Sequence, residues 1–190
     1  ADALKGKRGI WVGAQNIHWA DNGAFTGEVS ANMLKNIGVQ FAVIGHSERR
    51  QYFGETDEGV SKRSQKAIQE GMTAVVCIGE TEQQYKGGAT DSVVTSQLHG
   101  SLAGISKEQT ASLIIAYEPV WAIGTGLTAT PEIAQRVHGL IRSELAKIYD
   151  AATAARIPIV YGGSAKADNI AGLVCQPDIN GGLVGGASLS

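Results

Sequence analysis

The sequence predicts an α/β protein in which strands and helices alternate along the chain. Six short apolar runs, suited to strands buried on both faces, are separated by segments with helical spacing of apolar residues. The runs cover residues 10–14, 39–44, 73–78, 113–117, 158–161 and 182–184. Strict alternation of this kind implies a parallel sheet, either closed into a (β/α)₈ barrel or open and doubly wound.

Helix-capping residues support the alternation. Thr56 suits an N-cap for a helix over residues 57–69, and Gly71 follows its end. Thr130 suits the N-cap and Pro131 the first position of a later helix, in which apolar residues recur at helical spacing. Further helices are expected near residues 30–36, 91–102 and 166–173.

The element count falls short of a closed barrel. A barrel takes about 250 residues and one βα unit roughly 30, so a chain of 190 residues is about two units short. The last strand also lacks a following helix. We interpret residues 1–190 as a single domain, an incomplete barrel of about six of eight βα units. The chain starts at Ala1 and stops at Ser190 in the manner of a cut piece.

The composition is that of a soluble globular domain with a small ligand. Hydrophobic residues make up 43% and charged residues 18%, and the net charge is −2 with scattered Lys and Arg. This balance argues against nucleic acid or membrane partners, and no apolar run approaches membrane-spanning length. Cys77 and Cys175 are interpreted as buried thiols in a reducing, cytoplasmic compartment, and no zinc-binding spacing is present.

Polar and glycine clusters follow the predicted strands. They are Gln15-Asn16, His46-Ser47-Glu48, Gly79-Glu80, Glu118, Gly162-Gly163-Ser164 and Gly185-Gly186. The carboxyl ends of parallel strands meet on one face of a barrel, and barrel enzymes place their sites on that face. The sequence therefore predicts one site assembled from separate strands.

Glu118 is the candidate catalytic base. It follows an apolar strand and precedes Pro119, which cannot donate a ladder hydrogen bond and keeps the residue before it extended. The carboxylate is therefore expected to be aimed rather than mobile. Considered alone, the Glu-Pro pair is equally consistent with a loop glutamate beside an ordinary turn.

His46 is the candidate electrophile. It follows residues 43–45 and precedes a plausible first helical turn. Backbone N–H groups there would disfavour the imidazolium, so a neutral ring could donate to a substrate carbonyl. The alternative is a histidine that only caps the helix.

Arg49 and Arg50 are expected to form ion pairs around the site. The remaining histidines, His18, His99 and His138, are expected on the solvated surface.

The glycine pairs predict an anion site. Gly162-Gly163-Ser164 and Gly185-Gly186 follow the last two predicted strands, where backbone N–H groups can surround a phosphate. Barrels commonly bind phosphate at such loops, although ordinary turns use the same residues. Residues 120–125 are expected to close as a lid that excludes water, with the Gly124 N–H as a further donor.

Together these motifs closely resemble the triosephosphate isomerase family. The resemblance is carried by residues 13–16, 23–28, 43–50, 77–80, 116–126, 161–164 and 181–189, in family order. It implies a TIM (β/α)₈ barrel, here incomplete. It also implies interconversion of dihydroxyacetone phosphate and glyceraldehyde 3-phosphate through an enediolate, with no cofactor and no metal.

The resemblance also assigns roles to residues. Glu118 resembles the proton-transferring base and His46 the electrophile, with Ser47 and Glu48 as supporting residues. The phosphate-binding positions are Gly124, Ser164, Gly185 and Gly186. The loop from Asn16 to Glu28, with Phe25 and Thr26 near its tip, resembles the segment that inserts into a partner subunit, which implies a homodimer.

Two features depart from the family pattern. The family's first strand carries an asparagine and a lysine that help to bind substrate, and this chain starts after that region. The 190-residue piece alone is therefore expected to show little turnover and to expose strand edges. Asn180 stands where an aspartate is expected in many relatives, and the change looks tolerable.

Two other functions remain open at this stage. One is a phosphate-binding barrel lyase or synthase that shares only the glycine loops, which leaves Glu118 and His46 unexplained. The other is a non-catalytic binding or scaffold domain. An isomerase activity that depends on Glu118 would exclude both.

Overall fold

The computed structural model describes residues 2–4, 6–124 and 127–189. They form a five-stranded parallel sheet in the order β1-β2-β3-β4-β5. The strands are β1 Gly13–Ala14, β2 Phe41–Ile44, β3 Thr73–Ile78, β4 Leu113–Tyr117 and β5 Ile159–Tyr161. The helices are α1 Ala31–Asn36, α2 Ser47–Phe53, α3 Asp57–Gln69, α4 Glu82–Lys86, α5 Thr90–Ser101, α6 Pro131–Ile148, α7 Ala151–Ala154 and α8 Ile170–Val174.

The strand order distinguishes between the two predicted architectures. Each strand pairs with its sequence neighbour, so spatial order and chain order are the same. A doubly wound sheet reverses its strand order at a switch point, whereas a barrel does not. The α/β fold is therefore an arc of a TIM-type barrel, and the predicted parallel sheet is confirmed.

The sixth predicted strand is wrong. Within the described residues, the run at 182–184 makes only an isolated bridge between Tyr161 and Gly182. Glycines on both sides of this short run contribute no side chains that could pack on a sheet. The first strand is also shorter than predicted, and the short helices α4 and α7 were not predicted.

The capping predictions are confirmed for the two long helices. Thr56 accepts a hydrogen bond from the Gly59 N–H at the start of α3, and Thr130 accepts one from the Ile133 N–H at the start of α6. Both helices therefore begin where the sequence predicts. No helix in the described part of the chain is long and apolar enough to cross a membrane.

The sheet has two apolar faces. The larger core lies between the sheet and the helices and includes Ile44, Ile78 and Ile115. The opposite face carries a smaller cluster of Val43, Val75, Cys77 and Ala116, with Ile114 and other partly buried residues around it. Alternate residues of each strand supply the two faces, as the pleat requires. The smaller cluster corresponds to the interior of a barrel.

Three side chains differ from the surface and core predictions. His18 is buried because its ring stacks on Trp19 and packs at a tilt against Phe25. His138 is buried because it lies on the sheet-facing side of α6, where its Nδ1 is 3.1 Å from the Asp178 carbonyl oxygen. Cys175 is exposed at the end of α8. His99 is exposed as predicted.

The burial of His138 predicts a pH-dependent stability. Desolvation lowers its pKa from 6.5 to about 4 in the folded protein, whereas the unfolded chain binds a proton near pH 6.5. Stability is therefore lost as the pH falls from about 6.5 towards 4. We expect unfolding free energy to drop by about 2 kcal/mol between pH 7 and pH 5 from this group.

Urea unfolding of the full-length protein that contains this sequence measures this effect. His138→Gln keeps a donor for the Asp178 carbonyl but does not titrate, so its loss of stability over the same pH interval should be smaller by that amount. Equal losses in the two proteins would contradict the assignment.

Candidate active site

The carboxyl ends of the strands surround a cavity of about 570 Å³. Six of the eight residues assigned to the site by sequence line it: His46, Glu118, Gly124, Ser164, Gly185 and Gly186. They come from segments that follow β2, β4 and β5 and from the bridge at Gly182. The convergence of separate strand ends is the arrangement that the sequence predicts.

The end of β4 fixes the backbone of Glu118. The last paired residue of β4 is Tyr117. The Glu118 N–H donates to the Ile78 carbonyl oxygen at 2.8 Å, and Pro119 follows with φ −64°. The Glu118 residue is only 1% exposed. Its carboxylate is therefore held by the end of the sheet rather than by a loose loop.

Two neighbours from the loop after β2 contact the carboxylate. The Ser47 backbone N–H donates to Glu118 Oε2 at 2.8 Å, and His46 Nε2 lies 2.9 Å from Glu118 Oε1. A buried carboxylate needs such partners, because desolvation of an unpaired charge is costly. Ser47 thus acts on Glu118 through its backbone.

A left-handed glycine turns the chain from β2 into His46. Gly45 has φ +74°, and a Cβ at this position would lie 2.7 Å from Val60 Cγ2. His46 then caps α2, where its Nδ1 accepts from the Glu48 N–H at 3.3 Å. An acceptor Nδ1 carries no proton, so the neutral ring has its proton on Nε2, which faces Glu118.

The protonation of His46 differs from the prediction in one respect. The contact of its Nδ1 with a backbone N–H favours the neutral ring, as expected. However, the hydrogen bond and charge of Glu118 raise the pKa of His46 above 6.5, despite an opposing contribution from burial. The contact with Glu118 therefore stabilises the protonated ring more than the sequence suggested.

The two arginines after His46 form the predicted ion pairs. Arg49 Nε lies 2.6 Å from Glu55 Oε1, and Arg50 Nη1 lies 2.6 Å from Asp57 Oδ1. Arg50 also donates through Nε to the Gly45 carbonyl oxygen at 2.9 Å. This hydrogen bond stabilises the turn at Gly45 that precedes His46.

The glycine loops differ in the space around them. A Cβ on Gly163 would lie 2.2 Å from the Tyr161 hydroxyl, whereas a Cβ on Gly185 or Gly186 would meet nothing within 4 Å. Gly185 and Gly186 therefore leave open space on the cavity wall. The Ser164 N–H is engaged, since it donates to the Ala122 carbonyl oxygen at 3.0 Å.

The predicted lid is partly described. Its first residues form a 3₁₀ turn over Val120–Ala122, and Gly124 is exposed with φ +69°. Thr125 lies outside the described residues. Glu48, expected as a supporting residue, is exposed, and the structure shows no ion pair for it within the described ranges.

A buried carboxylate that had no predicted role connects the lid to the sheet. Glu80 is fully buried and accepts hydrogen bonds from Trp121 Nε1 at 2.8 Å, the Tyr117 hydroxyl at 3.1 Å and the Thr90 hydroxyl at 3.3 Å. Burial and the Glu80 charge raise the pKa of Tyr117 far above its ordinary value. Its position after a strand was the only sequence signal for Glu80.

Comparison with known proteins agrees with this geometry. The family model for triosephosphate isomerase matches residues 1–190. The chain belongs to the triosephosphate isomerase family. The resemblance inferred from the motifs is thereby confirmed.

Curated triosephosphate isomerases align with nearly the whole chain. The relative from Herpetosiphon aurantiacus is 54% identical over 180 residues, which is 95% of this chain and 72% of the relative. That from Solibacter usitatus is 53% identical over 188 residues, or 99% of this chain and 75% of the relative. That from a Synechococcus strain is 54% identical over 95% of this chain and 68% of the relative.

Close packing against Glu118 predicts that Gly162 resists substitution. A Cβ there would lie 2.9 Å from Glu118 Cγ. We expect Gly162→Ala to lower the unfolding free energy of this triosephosphate isomerase family member by about 1–3 kcal/mol, because overpacking forces neighbours to shift.

Gly172→Ala is the matched control. Its nearest neighbour would be Pro131 Cγ at 3.5 Å, an ordinary contact, and it lies inside α8. Alanine there should be neutral or stabilising by up to about 1 kcal/mol. If urea titrations show equal effects for the two variants, the packing argument is wrong.

Proposed function

We propose that this chain carries the catalytic base, the electrophile and most of the phosphate site of a triosephosphate isomerase. The observation that carries the proposal is the Glu118 carboxylate, buried beside His46 at the wall of a cavity of about 570 Å³. Family membership supplies the reaction, which interconverts dihydroxyacetone phosphate and glyceraldehyde 3-phosphate. We also propose that residues 1–190 belong to one barrel domain.

The phosphate would bind at the far wall of the cavity. Gly185 and Gly186 have open space around them, and backbone N–H groups at such positions complement an anion. Gly124 and Ser164 line the same cavity. A phosphate anchored there directs the rest of a three-carbon substrate towards Glu118 and His46.

Glu118 would move the carbon-bound proton. Its ionised carboxylate takes a proton from the carbon next to the carbonyl, and the C–H electron pair forms the carbon–carbon double bond of an enediolate. As this bond forms, the carbonyl electron pair moves onto its oxygen. Nε2 of His46 gives its proton to this oxygen and takes one from the hydroxyl oxygen on the adjoining carbon, which becomes the new carbonyl oxygen. The protonated carboxyl returns its proton to the former carbonyl carbon. Before this, Glu118 must leave the Ser47 N–H, which donates to its Oε2 at 2.8 Å.

His46 would stabilise the charge that develops on oxygen. Its neutral form donates from Nε2, because Nδ1 accepts from the Glu48 N–H. Substrate that enters between the two side chains separates Nε2 from Glu118. The separation removes the main cause of the raised His46 pKa and favours the neutral ring.

Lid closure would protect the enediolate from water. Closure of a loop over the substrate is known for triosephosphate isomerases. In this chain the lid starts at Val120–Ala122, directly after Glu118 and Pro119, so lid and base share one stretch of backbone. Movement of the lid would therefore also shift the base.

Shortening the base tests the proposed chemistry. We expect the full-length protein to interconvert the two triose phosphates, and Glu118→Asp to lower kcat by about 10²-fold, because the carboxylate is withdrawn by roughly one methylene. Coupled spectrophotometric assays in both directions give kcat and KM.

Glu58→Asp is the control, because the Glu58 side chain is 77% exposed on α3. It should leave kcat unchanged. An inactive but folded full-length protein would favour the scaffold alternative. Full activity in Glu118→Asp would remove Glu118 from its proposed role.

We also propose that the loop from Asn16 to Glu28 forms part of a homodimer interface. Asn16 Nδ2 donates to Glu28 Oε2 at 2.9 Å and closes the base of this loop. Phe25 on the loop is 45% exposed and Phe53 on α2 is 67% exposed. Exposed aromatic side chains of this kind are typical of protein interfaces.

A contact chain joins these two aromatic regions. The Arg63 guanidinium lies 4.7 Å from the centre of the Trp19 ring, and its Nη2 lies 3.6 Å from Glu55 Oε1. Glu55 also forms an ion pair with Arg49. The Arg49 guanidinium in turn lies 4.6 Å from the centre of the Phe53 ring. The loop and α2 are therefore linked through packed charged groups.

A charge at the loop tip tests the dimer. We expect the full-length protein to sediment as a dimer and Phe25→Asp to shift it towards monomer, because a buried unpaired carboxylate opposes association. Val174→Asp, at a residue with a similar exposure of 43%, should remain dimeric. Dimeric Phe25→Asp protein, or a monomeric parent, would contradict this interface.

A further inference from the structure

We propose that Gln97 is a positioning residue for the base, acting on Glu118 through the backbone of Gly79. This inference rests on the proposed function. Gln97 lies on α5, outside every motif that the sequence indicated. It lines a second cavity of about 530 Å³ that also borders Ser47, Glu118 and Trp121.

The amide of Gln97 pairs with both backbone groups of one residue. The Gly79 N–H donates to Gln97 Oε1 at 2.8 Å, and Gln97 Nε2 donates to the Gly79 carbonyl oxygen at 3.1 Å. The two bonds use one acceptor and one donor of the same carboxamide. Gln97 thus binds Gly79 as a neighbouring strand would.

The need for this substitute follows from the sheet. The residues on either side of Gly79 bond to the β4 segment. The Ile78 carbonyl oxygen accepts from the Glu118 N–H at 2.8 Å, and the Glu80 carbonyl oxygen accepts from the Val120 N–H at 3.1 Å. Backbone groups alternate in direction along a strand, so those of Gly79 face the β2 side. There, pairing ended at Ile44 with Val76, and the chain has turned away at Gly45.

Gly79 in turn forms the wall behind the base. A Cβ on Gly79 would lie 1.8 Å from the Glu118 carbonyl oxygen and 3.2 Å from its Cα, so the two backbones are in direct contact. Gln97 therefore holds a peptide unit against which Glu118 rests. Without it, the Gly79 polar groups would turn to water and the support of the base would loosen.

Misplacement of a base by about 1 Å can cost on the order of 10²-fold in rate. Loss of the Gln97 bonds should displace Glu118 by less than this, because the two flanking ladder bonds remain. We expect Gln97→Met, which has a similar shape but cannot form this pair, to lower kcat about 10-fold. KM should stay within about twofold, because the phosphate site lies elsewhere.

Gln135→Met is the matched control for stability. Gln135 makes a similar pair of bonds, from Nε2 to Asp178 Oδ2 at 2.7 Å and from the Asp178 N–H to Oε1 at 3.0 Å. This pair joins α6 to the segment after α8, outside the cavity beside the base. The variant should lose stability without a change in kcat.

A double-mutant cycle tests whether Gln97 acts through Glu118. In a Glu118→Asp background, Gln97→Met should cost less than its 10-fold effect in the parent, because the carboxylate is already misplaced. Hydrogen exchange of the Glu118 amide should also be faster in Gln97→Met and unchanged in Gln135→Met. This second readout does not depend on turnover.

The outcomes separate the two proposals. An inactive parent whose Glu118 amide exchanges faster in Gln97→Met contradicts the proposed function but supports the Gln97 contact. Strictly additive losses in the cycle, an unchanged kcat in folded Gln97→Met, or an unchanged Glu118 exchange rate would overturn the inference about Gln97.

Discussion

The hydrogen-bond ladder between β3 and β4 is the constraint on which the site depends. It continues past both strands, from Ile78 to Glu118 and from Glu80 to Val120, at 2.8 and 3.1 Å. This extension carries the backbone of Glu118 to the edge of the sheet and leads directly into the lid. Because β2 ends beside it, the same edge receives His46. The relative position of Glu118 and His46, the proposed base and electrophile, therefore follows from strand register.

Burial makes the position of Glu118 energetically demanding. A carboxylate that is 1% exposed has lost most of its hydration and must be compensated by the groups that face it. Here these are a backbone N–H of Ser47 and the Nε2 of His46. The same contact raises the pKa of His46. In the proposed mechanism, substrate has to separate these two groups. We infer that this pairing keeps the base oriented until the substrate displaces it.

The sequence predicted the parts of the fold that have local causes. Thr56 and Thr130 start their helices because their side chains satisfy free N–H groups of the first turn. The position of Glu118 could be predicted because it follows an apolar strand and precedes a proline, which keeps the residue before it extended. The hydrogen bonds between β3 and β4 nevertheless continue past the proline to Val120. Gly162 and Gly163 could be predicted because they follow β5, whose end converges with those of the other strands. Gly185 and Gly186 line the same cavity although the run before them forms only an isolated bridge.

The remaining features depend on tertiary contacts. The sequence around Gln97 and Glu80 does not indicate their partners. Gln97 bonds to Gly79, 18 residues away, and Glu80 bonds to Trp121, 41 residues away. The burial of His138 could have been inferred, because it is four residues after Ala134 and three before Ile141 on the buried side of α6. The strand expected near Gly182 failed because pairing needs more than a short apolar run.

The titration of His46 tests the central claim most directly. In the full-length protein, ¹⁵N NMR of the histidine ring reports both its pKa and the nitrogen that carries the proton. We predict a pKa above 6.5, an Nε2–H tautomer in the neutral form, and a fall in this pKa in Glu118→Gln, which removes the paired charge. A His46 pKa at or below 6.5 that does not respond to Glu118→Gln would contradict the account.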